Sequence, residues 1–291
     1  MPQELLICTD LDRTLIPNGP QPESPGARRR FAQLAARPEV TLVYVSGRHR
    51  ALIEEAIAAY RLPLPDFVIG DVGTTIYRVG QEQAWQHLAS WEEDIALDWG
   101  NLTHGGLLTL LKEFRVLRLQ ERSKQNRLKL SFYLPLHQDI DTLSKAITER
   151  LEDAGVRARL VWSVDDIADI GLLDVLPKRA SKRHAIEALM KELGFNLQRT
   201  VFCGDSGNDM EVLISTIPAV LVANSRSDVI ALARELASEA GTTARLYVAA
   251  GGFMGMNGNY SAGMLEGIAH YHPGIVDWLV EPGSIQDETV P

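Results

Sequence analysis

Cysteine is nearly absent. The chain of 291 residues has two, Cys8 and Cys203, too few for a disulfide framework. Each lies in a short apolar run, LLICTD and TVFCGD, and reads as a small buried hydrophobe. Both are expected to stay thiols in a reducing compartment. Long apolar runs are missing too: none approaches the ~20 residues that span a bilayer. The N-terminal stretch MPQELLICTDLDRTL carries Glu4, Asp10 and Asp12 and no basic region, so it does not read as a secretory signal. There is no excess of basic charge. Lys and Arg total 29 against 38 Asp and Glu, a formal charge of −9, which argues against holding nucleic acid or anionic lipid. An anionic small substrate stays possible, because a local metal or lysine can dominate the field of a pocket. No His/Cys cluster, internal repeat or low-complexity tract occurs. The chain is expected to be a soluble, cytoplasmic protein without membrane or nucleic-acid partners.

There is ample material for a core: 45% of residues are hydrophobic and 23% charged, which excludes disorder as the main state. The order is strand, helix, strand, helix. Leu5–Thr9, Val40–Val45, Phe67–Ile69, Thr200–Cys203 and Pro218–Val222 are short, mainly apolar runs, as buried parallel strands require, and the alternation resumes with a strand at Leu172–Leu176. Ser24-Pro25 reads as an N-cap with proline at the first helical position. Helices are expected near 51–57, 180–193 (ended by Gly194) and 261–271, and Thr74–Tyr77 as a hairpin arm. Residues 80–168 differ in texture. They hold four of the five tryptophans, the strand-like Lys129–Leu134 and an amphipathic helix, Ile140–Leu151. The expected fold is α/β: a doubly wound, Rossmann-like parallel sheet from 1–79 and 169–291, with 80–168 inserted as a smaller α/β domain.

Three strand ends carry reactive groups: Thr9-Asp10-Leu11-Asp12-Arg13-Thr14, Ser46-Gly47-Arg48 and Gly204-Asp205-Ser206-Gly207-Asn208-Asp209. Ligands of open parallel sheets bind beyond the carboxyl ends of the strands, so the three are expected at one edge. Asp10 and Asp12 share a face if the strand continues past Asp12, and part if the chain turns at Leu11. Several carboxylates converge either way. That concentration of charge is costly without a cation, and hard oxygen donors suit Mg²⁺ better than Zn²⁺. A lone DxD is more often a solvated surface turn; the joint pattern is far more specific than its parts.

With a lysine in LPKRASK, these motifs resemble, in order, those of haloacid dehalogenase (HAD) superfamily phosphatases with a C2-type cap. The resemblance implies an aspartyl-phosphate mechanism with Mg²⁺. Asp10 would be the nucleophile and Asp12 the general acid and base, touching the metal through its carbonyl. Ser46 would hydrogen-bond the phosphate and Asn208 the phosphate or Asp10, with Gly47 and Arg48 beside the phosphate. A lysine would offset the phosphoryl charge. Lys178 and Lys182 compete for that role, and Lys182, after the small Ser181, fits the motif better. Asp205 would be a direct ligand and Asp209 would support the metal's water shell or orient the lysine, completing a metal set of Asp10, Asp12, Asp205 and Asp209.

A closer resemblance is to sucrose-phosphate phosphatases. It rests on the stretch from Leu119 to Tyr133, on Asp71–Tyr77 (DVGTTIY), on GDSGND and on Asn259–His270. It implies a phosphorylated-sugar substrate contacted by Gln125 and Lys129, and association with a glycosyltransferase (the synthase). Otherwise these two residues read as a solvated cap edge. Trehalose 6-phosphate and mannosyl- or glucosyl-linked phosphates are alternative substrates, and a non-catalytic partner of the synthase is an alternative role. There are departures: Arg13 replaces a small or amide residue, Thr75 a glutamate, and Ser163–Pro177 lacks the family's glycines beside the serine. Trp85, Trp91 and Trp99 could stack on a sugar, but read first as core.

Overall fold

The computed structural model describes residues 4–80, 84–100, 102–165 and 168–279; residues 1–3 of the N-terminal stretch, and Asp166 and Ile167 of the altered segment, lie outside it. The strands are β1 (Leu5–Thr9), β2 (Val40–Val45), β3 (Phe67–Gly70), β4 (Thr75–Val79), β5 (Trp85–His87), β6 (Arg118–Leu119), β7 (Leu130–Leu134), β8 (Ala158–Asp165), β9 (Ile170–Pro177), β10 (Thr200–Gly204), β11 (Ala219–Leu221) and β12 (Leu246–Val248). The chain divides into two compact units, residues 1–46, 52–68 and 189–291, and residues 47–51 and 69–188.

The first unit is built on the order β12-β11-β10-β1-β2-β3. The pairs β1–β2, β1–β10, β10–β11 and β11–β12 are all parallel. β1, β10 and β11 are buried at every residue, which is why their sequences are continuous apolar runs rather than alternations. From β1 the chain builds outward through β2 and β3; from β10 it builds the other way through β11 and β12. The reversal makes β1/β10 the topological switch point, and open α/β sheets bind ligands outside the carboxyl ends of the strands at such a point. The helix Ser261–Tyr271 is buried from Ser261 to Ala269 and packs on β11 and on the helix Ala27–Ala35. Gly267 permits this, since a Cβ there would lie 2.3 Å from Val220.

One helix start differs from expectation. The helix begins at Ala27 behind Gly26, which takes a left-handed φ of 74°. Ser24 does not cap it; its Oγ accepts the Asn257 N–H at 2.9 Å. Gly26 supplies the turn cheaply, and the serine serves a contact 233 residues away in sequence.

The second unit holds the antiparallel pair β4–β5 and an antiparallel sheet in the order β6-β7-β9-β8. Leu130, Phe132 and Leu134 of β7, with Leu173 and Val175 of β9, are buried. Each such side chain contributes roughly 1.5–3 kcal/mol. The helix Ile140–Asp153, capped by Asp139 Oδ1 on the Thr142 N–H, adds Ile147 and Leu151. Trp85, Trp91 and Trp99 are core, as expected for tryptophans near helices. Among the described residues, no helix is long and apolar enough to cross a membrane.

Candidate active site

The first unit gathers its carboxylates where the switch point predicts. Thr9 and Cys203 stand opposite each other in the β1–β10 register, and the Asp10 N–H donates to the Cys203 carbonyl at 2.9 Å. Asp10 and Asp205 therefore leave adjacent strands at nearly the same level. Asp209 joins them through the short turn Gly207–Asp209. The three residues each offer a carboxylate oxygen within 4.8 Å of the others, and all three are buried.

Local geometry explains how Asp209 folds back. Its Oδ2 accepts the backbone N–H groups of Asp205 and Ser206, both at 3.2 Å, and the Ser206 hydroxyl at 3.3 Å. Gly204 makes room: a Cβ there would sit 2.6 Å from Asp209 Oδ2. The chain turns at Leu11, which is fully buried, so the Asp12 side chain parts from Asp10. It is half-buried, and its Oδ1 accepts from Asn18 Nδ2 at 2.8 Å. Ser46 is buried at the end of β2, and Asn208 is exposed.

Arg13 adds what its sequence position alone did not reveal. It takes a left-handed φ of 58°. Its backbone N–H donates to Asn18 Oδ1 at 2.8 Å, and its carbonyl accepts from Asn224 Nδ2 at 2.6 Å. The guanidinium reaches Asp205 Oδ2 through Nε at 3.2 Å and the Asn224 carbonyl through Nη2 at 3.2 Å. Asn18 and Asn224 carry no motif that would have singled them out.

The second unit carries Gly47, Arg48, Gln125, Lys129 and Lys182. Gly47 is exposed and Arg48 half-buried. Lys182 opens the helix Lys182–Leu193 and is buried, whereas Lys178 is exposed. The turn Asp71–Gly73 packs against that helix start. Gly73 has φ 91°, and a Cβ there would lie 2.5 Å from the Ser181 backbone. The turn is further held by Asp71 N–H on the Arg48 carbonyl at 3.0 Å and by Trp91 Nε1 on the Gly73 carbonyl at 3.0 Å.

Gln125 is used differently from a solvated edge. Its Nε2 donates to the carbonyls of Gln120 (3.1 Å) and Ser131 (2.9 Å), and its Oε1 accepts the Ser131 N–H at 2.8 Å. The amide works as a short extension of the β-ladder. Lys129 is buried, with Nζ 3.7 Å from Asp174 Oδ2 and donating to the Lys124 carbonyl at 3.3 Å. The β7–β9 register sets Ser131 opposite Asp174, and the Ser131 hydroxyl donates to that carboxylate. Burial pushes the Asp71 carboxyl above the usual range; Lys129, His49, Asn126 and Thr75 pull it partly back.

Three buried carboxylates are an all-oxygen donor set that fits a hard divalent cation and would be costly without a counter-charge. They could hold a metal.

A family model described as sucrose-6F-phosphate phosphohydrolase matches residues 3–272. A relative described as a HAD-like hydrolase, from Nitrosococcus oceani, is 52% identical over 99% of this chain and 78% of its own length. Sucrose-phosphatase 1 of Nicotiana tabacum and mannosylfructose-phosphate phosphatase of Agrobacterium fabrum are each 29% identical. They cover 78% and 79% of the chain, and 52% and 87% of their own lengths. The chain thus spans about half the length of the plant protein. The solved sucrose-phosphatase of Synechocystis sp. PCC6803, in complex with sucrose and phosphate, has a TM-score of 0.70 at 24% identity. It covers 93% of this chain and 98% of its own, a likeness of fold.

Proposed function

This chain belongs to the sucrose-6F-phosphate phosphohydrolase family of HAD-like phosphatases, and from that premise we propose that it hydrolyses a sugar phosphate monoester through an aspartyl-phosphate intermediate. The observation that carries the reading is the buried triad Asp10, Asp205 and Asp209 at the β1/β10 switch point.

Asp10 attacks phosphorus through a carboxylate oxygen; the bond from phosphorus to the sugar oxygen breaks, and Asp12 gives that oxygen its proton. Water then attacks the acyl phosphate, Asp12 takes the water's proton, and phosphate leaves with Asp10 restored. Mg²⁺, held by Asp10, Asp205, Asp209 and the Asp12 carbonyl, would supply charge neutralisation at the phosphoryl oxygens. Ser46 and Asn208 hydrogen-bond the phosphate, Lys182 offsets its charge, and Gly47 and Arg48 line its approach. Residues 80–168 serve as the specificity cap. Gln125 and Lys129 are the candidate sugar contacts, the first bonded to backbone groups and the second to the Lys124 carbonyl beside Asp174.

Sucrose 6-phosphate is the first substrate to test. The mannosylfructose-phosphate phosphatase relative, matched over 87% of its length, supports a second: another glycosyl-sugar phosphate. The test is phosphate release with Mg²⁺ across both and trehalose 6-phosphate, beside Asp10→Asn. We expect turnover on one of them and a loss of roughly 10³-fold or more in the variant, its circular dichroism unchanged. Undiminished turnover in Asp10→Asn ends the mechanism. A folded protein that turns over none of them, yet co-purifies with a glycosyltransferase, would favour a non-catalytic synthase partner.

A further inference from the structure

Arg13 stands at a backbone conformation that suits glycine or asparagine. A left-handed φ costs a side-chain-bearing residue roughly 1 kcal/mol or more. Here it is held by two amides: Asn18 on the N–H and Asn224 on the carbonyl. Asn224 is itself anchored, its Oδ1 accepting the Tyr260 N–H at 2.7 Å. The outcome of this arrangement is one cation aimed at one oxygen, Asp205 Oδ2.

The manner of that contact matters. The guanidinium does not grip Asp205 as a two-pronged fork. Nε goes to the carboxylate, and Nη2 to the Asn224 carbonyl. The Arg13 side chain is 35% exposed while that of Asp205 is 6% exposed. The arginine can therefore be solvated when it lets go, whereas the aspartate cannot be solvated in its place. A single charge-assisted bond from a partly wet cation to a buried anion describes an exchangeable counter-ion.

We propose that Arg13 is a resident cation that lowers, and so tunes, the divalent-ion affinity of the Asp10–Asp205–Asp209 centre. This rests on the metal reading of that cluster. Without metal, Arg13 offsets one of three negative charges and stabilises the empty centre. An incoming divalent ion meets that positive charge, and must share Asp205 with it or displace it. Both reduce affinity. The competing possibility, that Arg13 orients Asp205 for the metal, makes the opposite prediction.

The experiment is calorimetric titration of the full chain with MgCl₂, without substrate and at fixed ionic strength. The proteins are wild type, Arg13→Gln, Arg13→Lys and Asp205→Asn. Removing the charge is expected to tighten Mg²⁺ binding about tenfold, the lower part of the usual range for coupled sites because the arginine is partly screened. Arg13→Lys keeps the charge and should stay within about twofold of wild type. Unchanged or weaker binding in Arg13→Gln overturns the proposal. If wild type binds no Mg²⁺ and Asp205→Asn matches it, the metal reading itself fails and takes the proposal with it; Asp205→Asn losing binding while Arg13→Gln matches wild type sinks the proposal alone. Should Arg13→Gln not fold, the wild-type Arg13 Nε–H resonance, assigned by its absence in Arg13→Lys, still decides. We expect it to move along the Mg²⁺ titration with the calorimetric Kd; a stationary resonance rejects the exchange.

Discussion

Asp71 is a carboxylate placed where ionisation is costly. It is 6% exposed, and burial raises its affinity for a proton more than Lys129, His49, Asn126 and Thr75 lower it. A carboxyl whose folded pKa lies above its unfolded value favours the folded state fully below the ordinary carboxylate range. That contribution is lost as pH rises through the folded value. Asp71→Asn cannot ionise. Its melting temperature should therefore gain on wild type as pH is raised from about 4 to 8, read by thermal melts in matched buffers. A gap that stays flat with pH would remove the desolvation argument. This residue also marks how far the site could be read beforehand. Asp10, Asp205 and Asp209 were legible because each follows an apolar strand, and strand ends converge by topology. The polar cluster of the second unit was not. It depends on register, which sets Ser131 opposite Asp174 and so brings Lys129 within 3.7 Å of that carboxylate. Likewise Gln125 could be seen beside Lys129, but not that its amide closes onto the Ser131 backbone.

Elements were read well where one physical cause dominates. Buried parallel strands must be apolar throughout, so β1, β2 and β10 stand out at their true positions. Helix starts obey several causes at once, and Gly26 prevailed over Ser24 and Pro25. The helix Ser227–Glu239 leaves little trace in the sequence: two of its residues, Ala233 and Ala237, are buried, and alanines give a weak periodic signal. Between elements, one buried carboxylate does much of the tying in the second unit. The Asp98 side chain is fully buried. Its Oδ2 accepts the Arg179 N–H at 2.8 Å, and its oxygens also accept from Arg179 Nε, at 3.3 Å, and from Arg157. The turn Leu97–Trp99 is thereby joined to the ends of β8 and β9. Asp98→Ala should cost about 1–3 kcal/mol in urea unfolding. This is less than the roughly 3–5 kcal/mol of breaking a fully buried pair, because Arg157 and Arg179 remain 65% and 34% exposed and can rehydrate. Asp98→Asn keeps an acceptor for the Arg179 N–H and should lose less. Equal losses in both variants would mean that the backbone hydrogen bond contributes nothing.

At the scale of the whole molecule, the two cysteines report on the cooperativity of the central sheet. Cys8 and Cys203 have no exposure and sit on neighbouring strands, Thr9 standing opposite Cys203. Burial pushes both thiols well above the usual range, and Cys8 adds to the effect at Cys203. At pH 8 there is almost no thiolate for a disulfide reagent to meet. Native protein should release essentially no chromophore from such a reagent, and protein in guanidinium should release two equivalents, one from each cysteine. Labelling then requires that β1 and β10 come apart. These strands lie inside the order β12-β11-β10-β1-β2-β3, so their separation should be global rather than a local fraying. When reclosing outpaces labelling, the slow rate follows the open population. A ligand that binds only the folded state lowers that population by 1 + [L]/Kd, about 100-fold at 100 Kd. Inorganic phosphate with Mg²⁺, each at a measured multiple of its Kd, should therefore slow the labelling of both thiols by the same calculable factor. Labelling that ignores the ligand would show instead that the two strands part while the carboxyl-end site stays intact, and the sheet would then be divided into separately opening pieces at its own switch point.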